Sequence, residues 1–285
     1  VPPNAGSFRR LTIHLRENCV VGIPRHPASC SVATTNVADR VAHAVQRAMA
    51  GLGEGVGMAE NGYTQPPAWG VISGRDPRRD HAPFVNQLIL AGMTCGGASP
   101  HADGWLLLGG AGDAGMLYRD SVEVDEIKHP IRVLAQRILP DTEGAGRFRG
   151  APAGYVEYGP VDCTVEVMYG SDGSINPPRG ARGGMDGAAA HQYLRRGGEL
   201  IPLDPCAHVV LKPGETIVSL SCGGAGYGSP LERDPALVRH DVQEGWITRE
   251  RAQQIYGVML DRANEVDTAA TAALRADHAA RATRP

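Results

Sequence analysis

Apolar and polar residues alternate over residues 11–15, where Leu11, Ile13 and Leu15 share one face and Thr12 and His14 the other, a period-two pattern that predicts a strand. A loop with Pro24 and Pro27 follows. The period then changes. Val37, Val41, Ala44, Val45 and Ala48 fall on one face of a helix of about four turns, opened by Asn36 as N-cap with Asp39 three residues on, a capping-box-like start with Asp in place of Glu. Gly and Pro break residues 51–80, save for a short apolar segment at 69–72. Residues 88–93 predict a buried strand or the close of a short helix, with a long loop after them. Residues 131–138, 155–158 and 163–168 predict strands, the last with Val165, Val167 and Tyr169 on one face and Thr164, Glu166 and Met168 on the other. Residues 209–211, the turn Lys212-Pro213-Gly214-Glu215 and residues 216–220 predict strand, turn and strand.

Beyond Gly228 the pattern is helical. Asp234-Pro235 opens one helix with Pro at its first position, and Thr248 caps another whose face is Ala252, Ile255, Tyr256 and Met259. Residues 261–282 are rich in Ala, with Asp261, Glu265 and Asp267 early and Arg275, Arg281 and Arg284 at the end, an order that suits the helix dipole. With few large apolar residues, this tail is either a weakly packed C-terminal helix or one that docks on a partner. The fold class expected is mixed α/β: a twisted, sheet-rich core over residues 1–228 and a helical C-terminal segment over 229–285.

Composition narrows the function classes. With 285 residues, 42% hydrophobic and 21% charged, the chain suits one or two soluble domains with a sizeable core, which excludes disorder throughout. Lys and Arg number 28 against 31 Asp and Glu, so wholesale neutralisation of nucleic-acid phosphates has no support, and no apolar run is long enough to cross a bilayer. Nucleic acid and membrane are therefore set aside as partners. Six separated cysteines with no CxxC pair predict reduced, mostly buried thiols and a cytoplasmic location. The start Val1-Pro2-Pro3-Asn4 has neither an initiator methionine nor a secretory signal, as expected of an artificial boundary, a processing product or the second part of a longer chain. The 37 glycines predict turns at Gly104, Gly109-Gly110, Gly183-Gly184, Gly197-Gly198 and Gly223-Gly224, and with only 5% aromatics the core must rest on Val, Leu, Ile and Ala.

Four stretches carry candidate chemistry. Residues 178–187 (Pro178-Arg179-Gly180-Ala181-Arg182-Gly183-Gly184-Met185-Asp186-Gly187) place two guanidinium groups in a loop able to bring backbone N–H groups against an anion, or are a Gly-rich turn held by ordinary salt bridges; neither the dinucleotide nor the triphosphate glycine spacing is present. Residues 222–228, Cys222-Gly223-Gly224-Ala225-Gly226-Tyr227-Gly228, follow an apolar strand, where missing side chains let backbone approach a ligand or a neighbouring segment; no spacing supplies a base for Cys222. Cys95, His101 and Asp103 are metal-compatible but lack the paired spacing of a zinc motif, which favours a hydrogen-bonded loop. Asn4 and Arg9 stand just before the first strand, either capping a sheet edge or facing a pocket shared with other sequence.

The chain resembles the C-terminal half of the hydantoinase B/oxoprolinase family. The strongest match runs from Gly223 through Ser229-Pro230-Leu231-Glu232-Arg233-Asp234-Pro235 and on through Val238, Asp241-Val242, Gly245, Thr248, Glu250, Ala252 and Tyr256-Gly257-Val258. Earlier matches are Pro3-Asn4-Ala5-Gly6-Ser7-Phe8-Arg9, Asp103-Gly104, and Leu139-Pro140-Asp141 followed by Gly144-Ala145-Gly146-Arg147-Phe148-Arg149-Gly150. Departures are Ala225 within a run of glycines, Ser7 in place of a Cys, Arg10 in place of a Pro, and an atypical stretch around residues 19–30.

The resemblance implies a subunit of an ATP-dependent enzyme that hydrolyses a cyclic amide such as a hydantoin, an oxoproline or a lactam. The alternatives are a subunit of an ATP-dependent ketone carboxylase and a non-catalytic scaffold that orders its partners. It implies ATP with Mg on a hydantoinase A-type partner subunit, and a divalent metal on a partner or on the chain carrying the N-terminal half of the family architecture, so that this chain itself holds no metal or nucleotide. Phosphorylation makes an amide or enol oxygen a competent leaving group, and a metal or Arg cluster stabilises the charge that develops. On that basis Arg179 and Arg182 are expected to contact anionic or carbonyl oxygens, with Arg179 favoured by the resemblance, Asn4 and Arg9 to orient a small-molecule substrate, and Asp103 to make a polar contact near it.

Overall fold

The computed structural model of the protein describes residues 6, 9, 11–19, 21–27, 37–62, 65–90, 95–107 and 118–282. Two antiparallel sheets form its frame. The first runs β2 (Ala82–Gln87), β1 (Val71–Asp76), β5 (Val165–Gly170), β8 (Cys206–Leu211). The second runs β3 (Ile131–Ile138), β4 (Gly154–Pro160), β9 (Thr216–Leu220), β6 (His191–Arg196), β7 (Glu199–Pro202). Among the described residues five helices accompany them: α1 (Ala38–Ala50), α2 (Val122–Lys128), α3 (Pro235–Gln243), α4 (Arg249–Gln254) and α5 (Thr268–Ala282). The fold is mixed α/β, as the hydrophobic pattern implied.

Alternation decides which side of each strand is inside. Val165, Val167 and Tyr169 of β5 point to a core that also takes Ile72 and Leu211 from the first sheet and Ile131, Val156, Tyr158, Leu194 and Ile217 from the second, while Glu166 and Met168 face out. The two sheets therefore share one apolar layer, the arrangement of a sandwich. A 3₁₀ turn at Pro67–Trp69 closes one side of it, where Tyr158 Oη donates to Pro67 O at 2.9 Å.

Turn chemistry sets the connections. Gly197 and Gly198, both at positive φ, join β6 to β7 in a two-residue hairpin. Lys212-Pro213-Gly214-Glu215 turns with Pro213 second and Gly214 third at φ +85, and Glu215 N donates to Lys212 O. The strands on either side of that turn do not pair, however: β8 bonds to β5 and β9 to β4 and β6, so the turn carries the chain from one sheet to the other. Sequence spacing specifies the turn but not the partner.

Several local expectations are corrected. Residues 11–16 form no strand and are all exposed, because no strand among the described residues lies alongside to complete their hydrogen bonds. Residues 82–87 form a strand that the pattern missed, and after it Leu88 and Leu90 are buried, with Ile89 partly so, without regular structure; the rest of that predicted segment, 91–93, lies outside the described residues. The expected long loop contains α2, capped by Ser121 Oγ on Val124 N. Asn36 lies outside the described residues, as do Cys30 and Gly109-Gly110. Residues 95, 163, 206, 222 and 19 are free cysteines, two buried and two exposed.

Helix α1 forms where predicted, but turned over. Its buried residues are Asp39, His43 and Ala50, whereas Ala44, Val45, Ala48 and Met49 of the apolar side are exposed. The reason is polar: Arg40 and His43 find partners inside, and a helix with two such anchors cannot also bury the opposite stripe. At the other end, Asp234 Oδ1 caps α3 on Ala236 N and Thr248 Oγ1 caps α4 on Arg251 N. Tyr256 and Val258 join Ala145, Val238, Ile247 and Ala252 in a second apolar cluster. The Ala-rich tail is docked on its own chain, with Thr271 Oγ1 accepting from Met259 N and Arg275 donating to Tyr256 O and Arg233 O. No helix among the described residues is long and apolar enough to cross a membrane.

Candidate functional site

Residues 223–227 are neither turn nor strand. They run extended through the middle of other extended segments, and their N–H groups point in directions that repeat every three residues. Gly223 N and Gly226 N donate to Ala188 O and Met185 O; Gly224 N and Tyr227 N donate to Ala151 O and Phe148 O; Ala225 N donates to Glu60 O. A three-residue repeat is that of the polyproline II helix, which in isolation leaves its backbone unbonded. Here three neighbours, residues 181–188, 144–151 and 59–62, satisfy it. Side chains have no room in such a bundle: a Cβ on Gly224 would lie 1.9 Å from Gly96 O, and one on Gly226 2.2 Å from Ala145 O. Gly104, expected in a turn, belongs to the same packing, 1.9 Å from Gly96 O by the same test. The glycine run therefore serves close backbone packing.

Two buried ion networks rim this bundle. In the first, Arg233 is wholly buried and forms a two-point pair with Asp103, Nη1 to Oδ1 at 2.7 Å and Nη2 to Oδ2 at 2.8 Å, while its Nη2 and Nε reach Asp241 Oδ2. Arg149 completes it, Nε to Asp241 Oδ1 at 3.0 Å and backbone N to Asp103 Oδ1 at 2.9 Å. Burial pushes the Asp103 carboxyl up, but the Arg233 guanidinium, aided by Arg149, outweighs it and holds the group below the ordinary carboxylate range. In the second, Glu143 accepts from Arg251 Nε at 2.6 Å and from Tyr256 Oη at 2.9 Å; burial raises its carboxyl, with Arg251 opposing. Both networks join the glycine bundle to the C-terminal helices.

A third cluster lies under α1. Arg40 Nε sits 2.9 Å from Asp172 Oδ2, its Nη2 donates to Asn61 O and to His43 Nδ1, and Asn61 Nδ2 lies 2.8 Å from His43 Nε2. Burial, then the Arg40 charge, push the His43 imidazole down to about 4, with Asp39 opposing. Cys95 and Cys222 are buried nearby, and the Cys222 thiol is raised by its hydrogen bond with Cys95 and by burial. The sequence drew no notice to Arg40, His43, Asn61 or Asp172; the only available signal was the spacing of Asp39, Arg40 and His43 on one helix. Arg40 and Asp172 line a cleft of about 480 Å³ whose other walls include Val37, Val41 and Ala44. A guanidinium and a carboxylate side by side there can orient a polar ligand but constitute no nucleophile with a base.

The residues singled out by sequence are not gathered in one place. Arg179 and Arg182 lie near the C-terminal end of α1, the backbone N of Arg179 on Glu60 Oε2 and Arg182 Nη1 on Ala50 O, with Arg182 at φ +51. Both are exposed. Asp103 belongs to the Arg233 network, with both carboxylate oxygens engaged. Arg9 lies in an exposed turn, and Asn4 lies outside the described residues. His101 is exposed, with its backbone N on Ser99 Oγ, and among the described residues no three His, Cys, Asp or Glu side chains converge to hold a metal. The donor set among the described residues does not fit a metal.

The chain belongs to the hydantoinase B/oxoprolinase family, whose model matches residues 1–230. It is 29% identical over 288 aligned positions to the caprolactamase subunit beta of Pseudomonas jessenii, covering 98% of this chain and 48% of that one. It is 26% identical to the acetophenone carboxylase delta subunit of Aromatoleum aromaticum, covering 99% and 46%. The crystal structure of the ATP-dependent caprolactamase from Pseudomonas jessenii superposes with a TM-score of 0.77 at 25% identity, over 97% of this chain and 48% of that one. The chain thus spans about half the length of these relatives.

Proposed function

We propose that the chain is a subunit of an ATP-dependent enzyme that hydrolyses a cyclic amide, a hydantoin, an oxoproline or a lactam. The observation that carries this reading is the match to caprolactamase over nearly the whole chain in both sequence and fold. In it, a hydantoinase A-type partner binds ATP with Mg, a second chain supplies the other half of the family architecture with a divalent metal, and this chain contributes a rigid wall from which Arg179 reaches the anionic or carbonyl oxygens. Arg179 is better suited than Arg182, since Arg182 gives a donor to Ala50 O. A ketone carboxylase is the second reading, favoured by the match to the acetophenone carboxylase subunit.

The test is ATP turnover by the purified complex on a panel of cyclic amides and ketones, with and without bicarbonate. Turnover on a cyclic amide without bicarbonate is the expected result. A strict requirement for a ketone and bicarbonate transfers the assignment to the carboxylases, and a chain that purifies alone and supports no turnover with any partner overturns both.

A further inference from the structure

The cleft of about 480 Å³ between α1 and the end of β5 is walled by Val37, Val41 and Ala44 and has Arg40 and Asp172 at its polar end. Its size is that of a small-molecule site, about 300–1,000 Å³. The polar pair is incompletely satisfied. Arg40 Nε lies 2.9 Å from Asp172 Oδ2, yet the two are not aligned for a hydrogen bond, and among the described residues neither atom has a hydrogen-bond partner or is open to solvent. The atoms beside them are engaged: Arg40 Nη2 donates to Asn61 O and His43 Nδ1, and Asp172 Oδ1 accepts from Gly173 N. Buried donors and acceptors are paired in all but a few cases. An N–H and a carboxylate oxygen side by side, both unmet, call for a guest that brings one acceptor and one donor at the same spacing. Both side chains keep a partly open face, 30% and 25% exposed, so a guest can part them. A charged guest would compete with one member of the pair for the other, whereas a neutral one with a donor and an acceptor completes both.

We propose that this cleft binds a cyclic amide by the N–H and C=O of its cis edge. A small ring holds its amide cis, with N–H and carbonyl close together on one edge, while an open-chain secondary amide is trans and turns them to opposite edges. In the cleft the carbonyl accepts from Arg40 Nε, the N–H donates to Asp172 Oδ2, and the ring carbons lie against Val37, Val41 and Ala44. No bond is made or broken in this step. The inference rests on the reading that a cyclic amide is the substrate, and it adds a place on this chain that holds one. That place is separate from the Arg179 loop, which meets α1 about two turns further on, where Arg47 Nε reaches Gly180 O.

The experiment titrates 2-piperidone, a cyclic amide with a free N–H, into the 15N-labelled full chain and follows the amide shifts of residues 37–44 and 170–173 by NMR, with N-methyl-2-piperidone and open-chain N-methylacetamide as comparators. Saturable shifts at these residues are expected, with an affinity for 2-piperidone at least about tenfold above both comparators, since each comparator leaves one member of the pair unmet. Ala44→Leu fills the cleft from an exposed helix position and Asp172→Asn replaces the carboxylate by an amide of the same shape, so each should weaken binding by about tenfold or more. The unfolding midpoint of Ala44→Leu should stay unchanged, which separates a blocked cleft from a lost fold, and Arg179→Ala should bind as wild type does. Shifts that do not saturate, equal affinity for the N-methylated ring, or binding that survives Ala44→Leu overturns the inference. If the complex hydrolyses a cyclic amide while this chain shows no such shifts, the cleft assignment falls and the subunit reading stands; a complex that turns over only a ketone with bicarbonate overturns both.

Discussion

Arg233 is wholly buried and ion-paired with the carboxylates of Asp103 and Asp241. Removing one partner of a buried pair leaves the other charge desolvated and uncompensated, at a cost of about 3–5 kcal/mol. Arg233→Met is therefore expected to lower stability by roughly that amount in urea unfolding. Since the Asp103 carboxyl is held low, its contribution is present above the unfolded value near 4 and lost as pH falls through the folded one; the variant should lose that acid-side slope. Arg179 sits at the opposite extreme, exposed and, among the described residues, bonded only through its backbone. Arg179→Ala should leave the unfolding midpoint within about 0.5 kcal/mol of wild type, while lowering kcat of the assembled enzyme; unchanged kcat would remove Arg179 from the site. Both arginines were visible as residues in the sequence. Only the structure distinguishes the one whose donors are all spent from the one left exposed, because that depends on which carboxylates arrive from residues 103 and 241.

At the scale of elements, the glycine run shows how a motif's meaning lies in its neighbours. Gly224 is surrounded by backbone, so Gly224→Ala drives a methyl into Gly96 and should destabilise the chain by roughly 3 kcal/mol or more. Gly53 has no atom within 4 Å of an added Cβ and a backbone that L residues accept, so Gly53→Ala should be neutral or stabilising by up to about 1 kcal/mol. Circular dichroism melts of the two variants check the contrast. In sequence both positions are simply glycine. The helices ending at Gln243 and Gln254 were legible to the residue at their starts because Asp234, Pro235 and Thr248 act within one turn. Strands β2, β6 and β7 escaped notice, since Pro83, Asn86, Gln192 and the Arg195-Arg196 pair blur alternation that burial alone reveals.

For the whole molecule, titrations sum into one stability curve. Asp125 in α2 is buried, and burial together with the neighbouring Asp120 pushes its carboxyl up to about 6. A group raised in the folded state favours folding when protonated, so its contribution falls as pH rises from about 4 to about 6. His43 runs the other way: lowered to about 4, it stays neutral in the fold while the unfolded imidazole takes a proton, so stability falls as pH drops from about 6.5 to about 4. The two slopes oppose each other. Asp125→Asn should thus gain about 1–2 kcal/mol near pH 7.5, converge with wild type below about pH 4, and expose the His43 slope between. Urea midpoints at several pH values would show it, and parallel curves for the two proteins would refute it.

Local rules of the chain settled what acts within a few residues: the inward set of β5, the Pro213-Gly214 turn, and the caps of α3 and α4, whereas the expected helical face stops at Gln254, leaving Ile255, Tyr256 and Met259 outside it, and the Ala-rich helix starts at Thr268 rather than at 261. The family, too, was written in ordered short motifs. What only the tertiary structure decided involves partners distant in sequence: that the Gly214 turn crosses between sheets, that residues 223–227 thread three other segments, and that α1 turns its charged side inward. The physical reason is that periodicity reports which side of an element is apolar, whereas the partner that covers it is set by competition among all the surfaces and hydrogen-bonding groups available.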